Sequence, residues 1–309
     1  MKNNILIIGF GNIGQRHFQS FYNLNKKFNI FIIDKKIKKT LSLIKNQYNN
    51  NKKINVKVFD NLNKLKKKSF FLSIIATNSD VRYFIFKKLI NQCKSKHIIL
   101  EKVLFKNLNE FNRCIKFIEN YSKKIWVNLP RREYQIMQYI NSRLDIKKKI
   151  CIEFSGFRWG IASNMIHFLD LFKWMAKANK ITFQNKLEDK VYKAKRKGFY
   201  EIRGKVLFKD QSNNKLKIID DNNFKKNKFE IRNKNNVYLI NDNILHLKSK
   251  KKKFVKIFPN NFQSNLTSKI YYSLIKNNFC KLPELKNSVD IHKVYYSILD
   301  KKMKKKLFT

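Results

Sequence analysis

Three of the seven glycines in this 309-residue chain lie within six residues. The apolar, β-branched run over residues 5–8 that precedes them predicts a buried strand, and residues 15–22 can form a helix. At this spacing the first glycine permits the turn, the second lets a pyrophosphate approach the backbone, and the third lets the helix pack on the strand. The N–H groups at the start of the helix favour phosphate charge. The predicted dinucleotide-binding turn comprises Gly9, Phe10, Gly11, Asn12, Ile13 and Gly14.

An acidic residue ends the next predicted strand, over residues 29–34. Asp34 lies twenty residues after Gly14. A carboxylate here can accept hydrogen bonds from the hydroxyl groups of an adenosine ribose, and it would repel a 2′-phosphate, so the sequence favours NAD over NADP. Lys35 and Lys36 weaken the second argument. The alternative is a glycine-rich turn without a ligand, in which Asp34 only ends a strand.

Hydrophobic patterning divides the chain into two parts. Predicted strands and helices alternate over roughly the first 125 residues, which is typical of a parallel sheet with helices on both faces. From residue 149 onward, one helix over 164–176 is followed by successive strands, which is typical of an antiparallel sheet. We therefore predict an α/β fold with two domains. An N-terminal Rossmann domain spans residues 1–124, and a C-terminal α+β domain with a large, mostly antiparallel sheet spans residues 125–309.

Two further loops in the first part follow predicted strands, one after residues 68–76 and the other after residues 97–100. Their candidate cofactor-binding residues are Ala76, Thr77, Asn78, Glu101 and Lys102. Because ligands bind beyond the carboxyl ends of the strands in such sheets, we expect both loops to lie beside the glycine turn.

The composition narrows the classes of function. The chain is 43% apolar, which predicts a globular protein, and its 69 basic and 21 acidic residues give a net charge of +48. Such a charge ordinarily suggests a nucleic acid, but only ten of the basic residues are arginine and the lysines are spread along the whole chain. We therefore predict no specific nucleic-acid partner, with weak adhesion at low salt.

Cysteines and apolar runs bear on compartment and metal binding. The four cysteines lack C-x-x-C spacing, which predicts free thiols in a reducing cytoplasm. Cys93 and His97 lie four residues apart, but one such pair does not predict a metal site. No segment approaches the ~20 apolar residues of a membrane span, and the apolar start leads directly into the glycine turn rather than forming an export signal. We predict a cytoplasmic protein without a metal or a membrane partner.

Five short stretches occur in a definite order. They are residues 9–17 (G-x-G-x-x-G-x-x-H), 76–80 (A-T-P-x-x with Asn78 in place of proline), 101–103 (E-K-P with Val103 in place of proline), 126–132, and 166–170 (I-H-x-x-D). In this order and spacing the sequence resembles the Gfo/Idh/MocA family of oxidoreductases, many of which are sugar or cyclitol dehydrogenases. The resemblance covers nearly the whole chain.

The resemblance implies roles for two residues. It places Lys102 beside the nicotinamide, and His167 facing it as the acid/base group. Oxidation of a secondary alcohol removes a proton from oxygen while a hydride leaves carbon, and an imidazole can take that proton while an ammonium stabilises the alkoxide. The alternatives are an ordinary lysine in a lysine-rich chain and a structural histidine on an apolar helix.

One position departs from the family pattern. Family members often carry an acid four residues before this histidine, where this chain has Ser163. Asn164 shares a helical face with His167 and can hydrogen-bond a substrate hydroxyl or orient the imidazole, but it is no base at neutral pH. Proton transfer would then rest with His167, assisted by Lys102. Alternatively, the substrate or the reaction direction differs from that of the simpler sugar dehydrogenases.

Substrate contacts are expected where the two domains join. Adjacent arginines at 131–132 and another at 158 could hold a carboxylate or phosphate by bidentate hydrogen bonds, which favours a uronate, a sugar nucleotide or a sialic-acid-like compound. The alternative is a surface pair without a ligand. The predicted substrate-binding residues are Asn128, Arg131, Arg132, Arg158, Asn164 and His167.

The sequence thus predicts an NAD(P)-dependent oxidoreductase. It would transfer hydride between nicotinamide and a hydroxyl or keto carbon of a sugar-like substrate, with surface polysaccharide sugars as one setting. The alternative is an NAD-binding regulatory member without turnover, which the changes at Asn78, Val103 and Ser163 favour. We also expect a homo-oligomer, a dimer or tetramer, formed through an exposed face of the C-terminal sheet.

Overall fold

The computed structural model describes residues 3–24, 26–48, 51–250, 253–303 and 306–307. The chain forms two units. The first comprises Met1–Asn128 and Phe262–Lys286, and the second Leu129–Asn261 and Asn287–Thr309. The single boundary predicted after residue 124 differs from this division, because residues 124–127 complete the first sheet and residues 262–286 return to the first unit.

The strands alternate with helices in the first part of the chain and follow one another in the second. In chain order they are β1 (Asn4–Ile8), β2 (Phe28–Ile33), β3 (Ile54–Phe59), β4 (Ser69–Ile75), β5 (Lys94–Leu100), β6 (Lys124–Val127), β7 (Ile150–Gly156), β8 (Thr182–Leu187), β9 (Tyr192–Lys193), β10 (Tyr200–Glu201), β11 (Gly204–Lys209), β12 (Lys215–Asp220), β13 (Lys228–Asn233), β14 (Asn236–Asn241), β15 (Ile244–Lys248) and β16 (Lys253–Ile257).

The helices cover these sheets. In chain order they are α1 (Asn12–Tyr22), α2 (Ile37–Gln47), α3 (Ser79–Gln92), α4 (Leu108–Phe117), α5 (Gln135–Asn141), α6 (Ile161–Ala176), α7 (Gln263–Asn277) and α8 (Val289–Met303). Short 3-10 turns occur at Leu62–Leu65, Pro130–Glu133 and Lys286–Ser288.

The first unit has a parallel sheet in the order β3–β2–β1–β4–β5–β6. Its central strands are buried on both faces, which is why they read as continuous apolar runs such as residues 5–8. The strand order reverses between β1 and β4, so the chain leaves these two strands in opposite directions and opens a ligand-binding edge at their carboxyl ends. The predicted N-terminal Rossmann domain is confirmed.

Helix α7 belongs to the first unit because its apolar face completes that core. The ring of Tyr271 lies 5.4 Å from that of Phe21, 5.3 Å from Phe28 and 5.5 Å from Phe71, all with edge-to-face geometry. Such aromatic pairs add to the free energy of burial. Tyr271 therefore fixes α7 against both α1 and the sheet.

The second unit has a sheet in the order β16–β15–β14–β13–β7–β12–β11–β8. Among the described residues, β7 and β12 pair in parallel, and the other neighbouring strands pair antiparallel. Helix α6 packs on one face through Phe168, whose ring lies 4.4 Å from Phe154 and 5.4 Å from Phe229. The predicted α+β character with a mostly antiparallel sheet is confirmed.

The opposite face of this sheet carries ion pairs along its middle strands. Lys217 lies 3.3 Å from Glu153 across β12 and β7, and Glu230 on β13 pairs with Lys228 and Arg232. This face is therefore more polar than the apolar sheet face through which we predicted that an oligomer would form. The homo-oligomer stays a prediction.

Two other features of the described chain concern cysteines and helix length. The four cysteines are free thiols, and Cys93, Cys114 and Cys280 are buried. Within the described residues, none of the helices combines the length and the apolar character that crossing a membrane requires.

A histidine is buried on β5 without a polar contact. His97 is 1% exposed, its ring lies 5.1 Å from that of Phe71, and neither ring nitrogen has a hydrogen-bond partner among the described residues. Burial, together with the charges of Lys96 and Lys124, lowers the pKa of His97 from 6.5 to about 4. A neutral imidazole is therefore part of this core.

We predict that His97 makes the fold sensitive to acid. Below pH 6.5 the unfolded chain binds a proton that the folded chain does not bind until about pH 4. Stability should therefore be complete above pH 6.5 and fall by about 3 kcal/mol as the pH approaches 4. In His97→Phe this part of the pH dependence should disappear. Urea unfolding across this pH range tests it, and equal pH profiles for the two proteins would contradict it.

Candidate functional site

The glycine turn is closed by backbone contacts that leave no room for side chains. Gly9 has φ +90°, and a Cβ built on it would lie 3.0 Å from the backbone of Ala76 and Thr77. A Cβ on Gly14 would lie 2.0 Å from the carbonyl oxygen of Gly9. These two glycines therefore pack the turn, α1 and the loop after β4 together.

Gly11 differs from the other two because the space beside it is open. It precedes the first residue of α1, no side chain caps that helix start, and a Cβ on Gly11 would meet nothing within 4 Å. Asn12 and Ile13 are exposed. Uncapped N–H groups beside bare backbone are a site that an anionic phosphate can approach.

Asp34 lies directly at this turn. Its Oδ2 accepts a hydrogen bond from the Phe10 N–H at 2.7 Å, and its Oδ1 accepts one from the Lys36 N–H at 2.8 Å. The carboxylate is half-buried and held in one orientation at the carboxyl end of β2. Each oxygen retains a second acceptor position for the hydroxyl groups of a ribose.

A buried polar network surrounds Glu101 at the end of β5. His17 Nε2 lies 2.8 Å from Glu101 Oε1, and its Nδ1 lies 2.8 Å from the hydroxyl of Thr267. Asn128 Nδ2 donates to Glu101 Oε1 and to Gln263 Oε1, and Gln263 Nε2 donates to the Thr267 hydroxyl. The network thus joins α1, the ends of β5 and β6, and α7.

The electrostatics of the network favour an ionised Glu101. Burial by itself raises the pKa of this carboxyl, but hydrogen bonds from His17 and Asn128, with the nearby charges of His17 and Arg82, hold the pKa below its usual range. A buried carboxylate with these donors resists displacement. Because Glu101 is held in place, the backbone of the next residue, Lys102, starts from a fixed position.

The strand ends beside the turn carry two buried polar atoms without partners among the described residues. Thr77 Oγ1 and Asn128 Oδ1 are buried and have no hydrogen-bond partner among the described residues. Lys102 is half-buried, and the peptide bond between Lys102 and Val103 is cis. Together with the open backbone at Gly11 and the carboxylate of Asp34, these atoms fit a dinucleotide, which presents phosphates, hydroxyls and an amide to such groups.

In the second unit, α6 carries the predicted acid/base residue on its less buried side. Ser163, Asn164 and His167 are half-buried, and the residues between them are buried. Asn164 Nδ2 donates to the carbonyl oxygens of Trp159, at 2.8 Å, and Gly160, at 3.1 Å. The amide nitrogen of Asn164 therefore fastens the preceding loop, and only its oxygen is left for a substrate.

A carboxylate missed by the sequence predictions lies at the start of α6. The Ser163 N–H donates to Glu201 Oε2 at 3.3 Å, and a Cβ on Gly160 would lie 2.7 Å from Glu201 Oε1. Negative charge at a helix N-terminus is favourable. Glu201 thus brings an acid to the turn of α6 at which Ser163 stands.

The adjacent arginines have different environments. Arg132 binds the buried Asp170 with two hydrogen bonds, Nε to Oδ2 at 2.8 Å and Nη2 to Oδ1 at 2.5 Å. Burial raises the pKa of Asp170, and the guanidinium opposes this. The sequence predicts that both arginines bind one anion. In the structure, Arg132 is already engaged in an internal ion pair with Asp170.

Arg131 keeps its donors. Its guanidinium carbon lies 4.4 Å from the ring centre of Phe168 and 6.0 Å from that of Phe229, and burial lowers its pKa. Among the described residues it has neither a hydrogen-bond partner nor an ion-pair partner for its side chain. A half-buried guanidinium without a carboxylate is a strong site for an added anion.

Arg158 lies in the loop between β7 and α6, beside exposed aromatic surface. Its N–H donates to the buried Asp220 at 2.7 Å, and its guanidinium carbon lies 4.7 Å from the ring centre of Phe157. The guanidinium carbon of Arg203 lies 5.3 Å from the same ring and 3.9 Å from that of Tyr192. Two arginines and two aromatic rings therefore form one surface, here called the arginine–aromatic patch.

Comparison with known proteins finds a family match for most of the first unit. The family model described as an oxidoreductase family with an NAD-binding Rossmann fold, Gfo/Idh/MocA, matches residues 3–129. Over these residues the chain is similar to the Gfo/Idh/MocA family. The NAD-binding character predicted from the glycine turn is thereby confirmed. A search of curated proteins gives no significant match.

Solved structures of similar fold cover this chain almost completely. An oxidoreductase from Agrobacterium radiobacter, in complex with NAD⁺, L-tartaric acid and magnesium, is 14% identical with a TM-score of 0.72 and covers 96% of this chain and 94% of its own. UDP-N-acetylglucosamine 3-dehydrogenase GnnA from Acidithiobacillus ferrooxidans is 10% identical with a TM-score of 0.69, at 96% and 97%. A super-repressor mutant of Gal80p from Saccharomyces cerevisiae is 14% identical with a TM-score of 0.71, at 97% and 96%. At these identities the likeness shows the fold.

The predicted site residues divide between the units. The first unit brings together the glycine turn, Asp34, the loop over residues 76–78 and the residues Glu101 and Lys102. It also takes Asn128, predicted to bind substrate, into the network around Glu101. The remaining predicted substrate residues and His167 lie in the second unit. The sequence predictions missed four supporting residues, Arg82, Glu201, Gln263 and Thr267, and each of them has at least one partner 19 or more positions away along the chain. His17 was part of a predicted motif.

We predict opposite consequences for two glycine substitutions. In Gly11→Ala the methyl group meets open space, so stability should change by less than about 0.5 kcal/mol, whereas NADH affinity should fall by about tenfold because the methyl group obstructs the phosphate. In Gly14→Ala the methyl group overlaps the Gly9 carbonyl, so the fold should lose about 1–3 kcal/mol. Thermal unfolding and NADH titration measure both, and an unchanged NADH affinity in Gly11→Ala would contradict the prediction.

Proposed function

We propose that this protein is an NAD-dependent oxidoreductase acting on a hydroxyl or keto carbon of a sugar-like, anionic or nucleotide-linked substrate. The observation that carries the proposal is the meeting, at one sheet edge, of the glycine turn, the fixed carboxylate of Asp34 and the loop that carries Lys102. The match of residues 3–129 to the model of an NAD-binding oxidoreductase family supports it.

The proposed chemistry uses two side chains. NAD, when bound, supplies the hydride acceptor or donor. His167 removes the proton of the substrate hydroxyl, or returns it in the reverse direction, and the Lys102 ammonium stabilises the developing alkoxide. Asp34 binds the ribose hydroxyls, and its charge disfavours a 2′-phosphate, so NAD is preferred over NADP.

An anionic substrate is supported by the arginines of the second unit. Arg131 has a desolvated guanidinium and no carboxylate partner among the described residues. The arginine–aromatic patch offers two more guanidinium groups beside rings on which a planar base can stack. The likeness in fold to a dehydrogenase named for UDP-N-acetylglucosamine is consistent with a nucleotide-linked sugar.

A second candidate function is regulation without turnover. The likeness in fold to Gal80p, described as a transcriptional regulator in its Kluyveromyces structure, favours it, as does Ser163 in place of an acid. The presence of Glu201 beside Ser163 weakens the second argument, because a carboxylate is available at that turn.

We predict that turnover depends on Lys102 and His167. Purified protein should reduce NAD, in preference to NADP, with at least one member of a panel of free sugars, uronates and UDP-sugars. Lys102→Ala and His167→Ala should each lower kcat by about 100-fold, because general acid–base catalysis and alkoxide stabilisation are worth that much, while the NADH Kd stays within about threefold.

Lys106→Ala and His246→Ala are the matched controls, since Lys106 is exposed and His246 is half-buried on β15. NADH binding with no change of activity in either Lys102→Ala or His167→Ala would favour the regulatory candidate. The absence of both turnover and NADH binding would refute the proposal altogether.

We predict that Arg131 recognises the substrate anion. Arg131→Met keeps the aliphatic packing but removes the donors, so KM for an anionic substrate should rise by about tenfold or more while KM for a neutral analogue stays unchanged. Arg132→Met should instead destabilise the fold by about 3–5 kcal/mol, because it leaves the buried Asp170 unpaired. Arg143→Met is the control, since Arg143 also stacks on a ring, that of Tyr139 at 3.6 Å, but is exposed. Equal effects of Arg131→Met and Arg143→Met on KM would exclude this role.

A further inference from the structure

Arg82 on α3 is a buried arginine in a chain whose basic residues are mostly exposed. It is 3% exposed, and it lies within the second turn of the helix that follows the loop over residues 76–78. Isolated charges are rarely buried unless several polar groups compensate them. The groups that surround Arg82 are backbone carbonyls of two loops.

The guanidinium of Arg82 reaches four carbonyl oxygens. Nη1 donates to Glu101 O at 2.7 Å and to Leu104 O at 2.9 Å, and it also contacts Val103 O. Nη2 donates to Thr77 O. The first three acceptors belong to the loop after β5 and the fourth to the loop after β4, so one side chain connects both loops.

This connection fixes the position of the Lys102 backbone. The carbonyl groups of Glu101 and Val103, on either side of Lys102, are both bound by Arg82. On the other side of the same peptide segment, the Glu101 carboxylate is held by His17 and Asn128. The backbone at Lys102 is therefore fixed from two directions, by Arg82 on one side and by the partners of the Glu101 carboxylate on the other.

The chemistry of these contacts requires a guanidinium. Its planar fork presents donors to several acceptors at fixed angles, whereas a lysine has one nitrogen and a methionine has no donor. A lysine at position 82 could satisfy some of the four carbonyls, and a methionine none. Arg82→Lys and Arg82→Met therefore form a graded series.

We propose that Arg82 is a positioning residue that sets the loops over residues 76–78 and 101–104 for the nicotinamide half of the cofactor. This rests on the proposed function, in which Lys102 acts beside the nicotinamide. The adenosine half depends instead on Gly11 and Asp34, whose contacts do not include Arg82. Loss of Arg82 should thus affect the two halves of NADH unequally.

The experiment compares ADP with NADH as ligands of the full chain. Calorimetric titration of wild type, Arg82→Lys, Arg82→Met and the exposed-residue control Arg113→Met gives both Kd values for each protein. The ADP Kd should stay within about twofold in all four, whereas the NADH Kd should rise by about tenfold in Arg82→Met and by less in Arg82→Lys. The fluorescence of bound NADH should shift toward that of free NADH in the same order.

Parallel loss of ADP and NADH affinity, including loss through misfolding of both variants, would make Arg82 a residue of general stability and overturn the inference. Unchanged NADH affinity and fluorescence would also overturn it. Failure of the proposed function is a separate result, since it would appear in the wild-type protein, as NADH binding no tighter than ADP binding or as absence of turnover with every substrate in the panel.

Discussion

The carboxylate of Glu101 connects several elements of the first unit, next to Lys102 in the candidate site. It lies at the end of β5, almost fully buried, and it accepts hydrogen bonds from His17 on α1 and Asn128 after β6. Such a charge is costly to bury without donors, so the elements that bring the donors must be in place. This explains why the chain returns to the first unit: α7 supplies Thr267 and Gln263, which orient the ring of His17 and the amide of Asn128. The position of Lys102 follows from this arrangement.

Two adjacent arginines of the second unit have contrasting environments. Arg132 is joined to the buried Asp170 by two side-chain hydrogen bonds. Arg131, one residue earlier, is desolvated against Phe168 and Phe229 without a carboxylate among the described residues. Adjacent residues of the same type therefore have different energetic roles, because a desolvated guanidinium gains more from an anion than one that is already paired. The net charge of +48 conceals this distinction, since most of it is exposed lysine.

The fold alone does not separate an enzyme from a regulator. Structures described as dehydrogenases and as the regulator Gal80p resemble this chain to nearly the same extent. Function has to be argued from the site. Here the relevant features are the fixed approach to Lys102, the acid that Glu201 brings to the start of α6, and the arginine–aromatic patch. In the proposed function, Glu201 and the patch serve substrate binding and proton transfer, the loop of Lys102 serves the nicotinamide half of NAD, and the glycine turn with Asp34 serves the adenosine half.

The sequence by itself determined the local features of this protein. The β-branched runs predicted the parallel strands, glycines at 9, 11 and 14 predicted the turn, and the twenty-residue spacing to Asp34 predicted the dinucleotide, because each depends on a short stretch of backbone. The pairing of residues distant along the chain was decided only by the tertiary structure. No local sequence pattern predicts that α7 packs against α1, that Arg82 is buried, or that Arg132 rather than Arg131 forms the ion pair with Asp170. The residue type of a charged side chain is the same whether it is exposed or buried. Its burial and its partners, which decide its energetic role, depend on how distant elements pack.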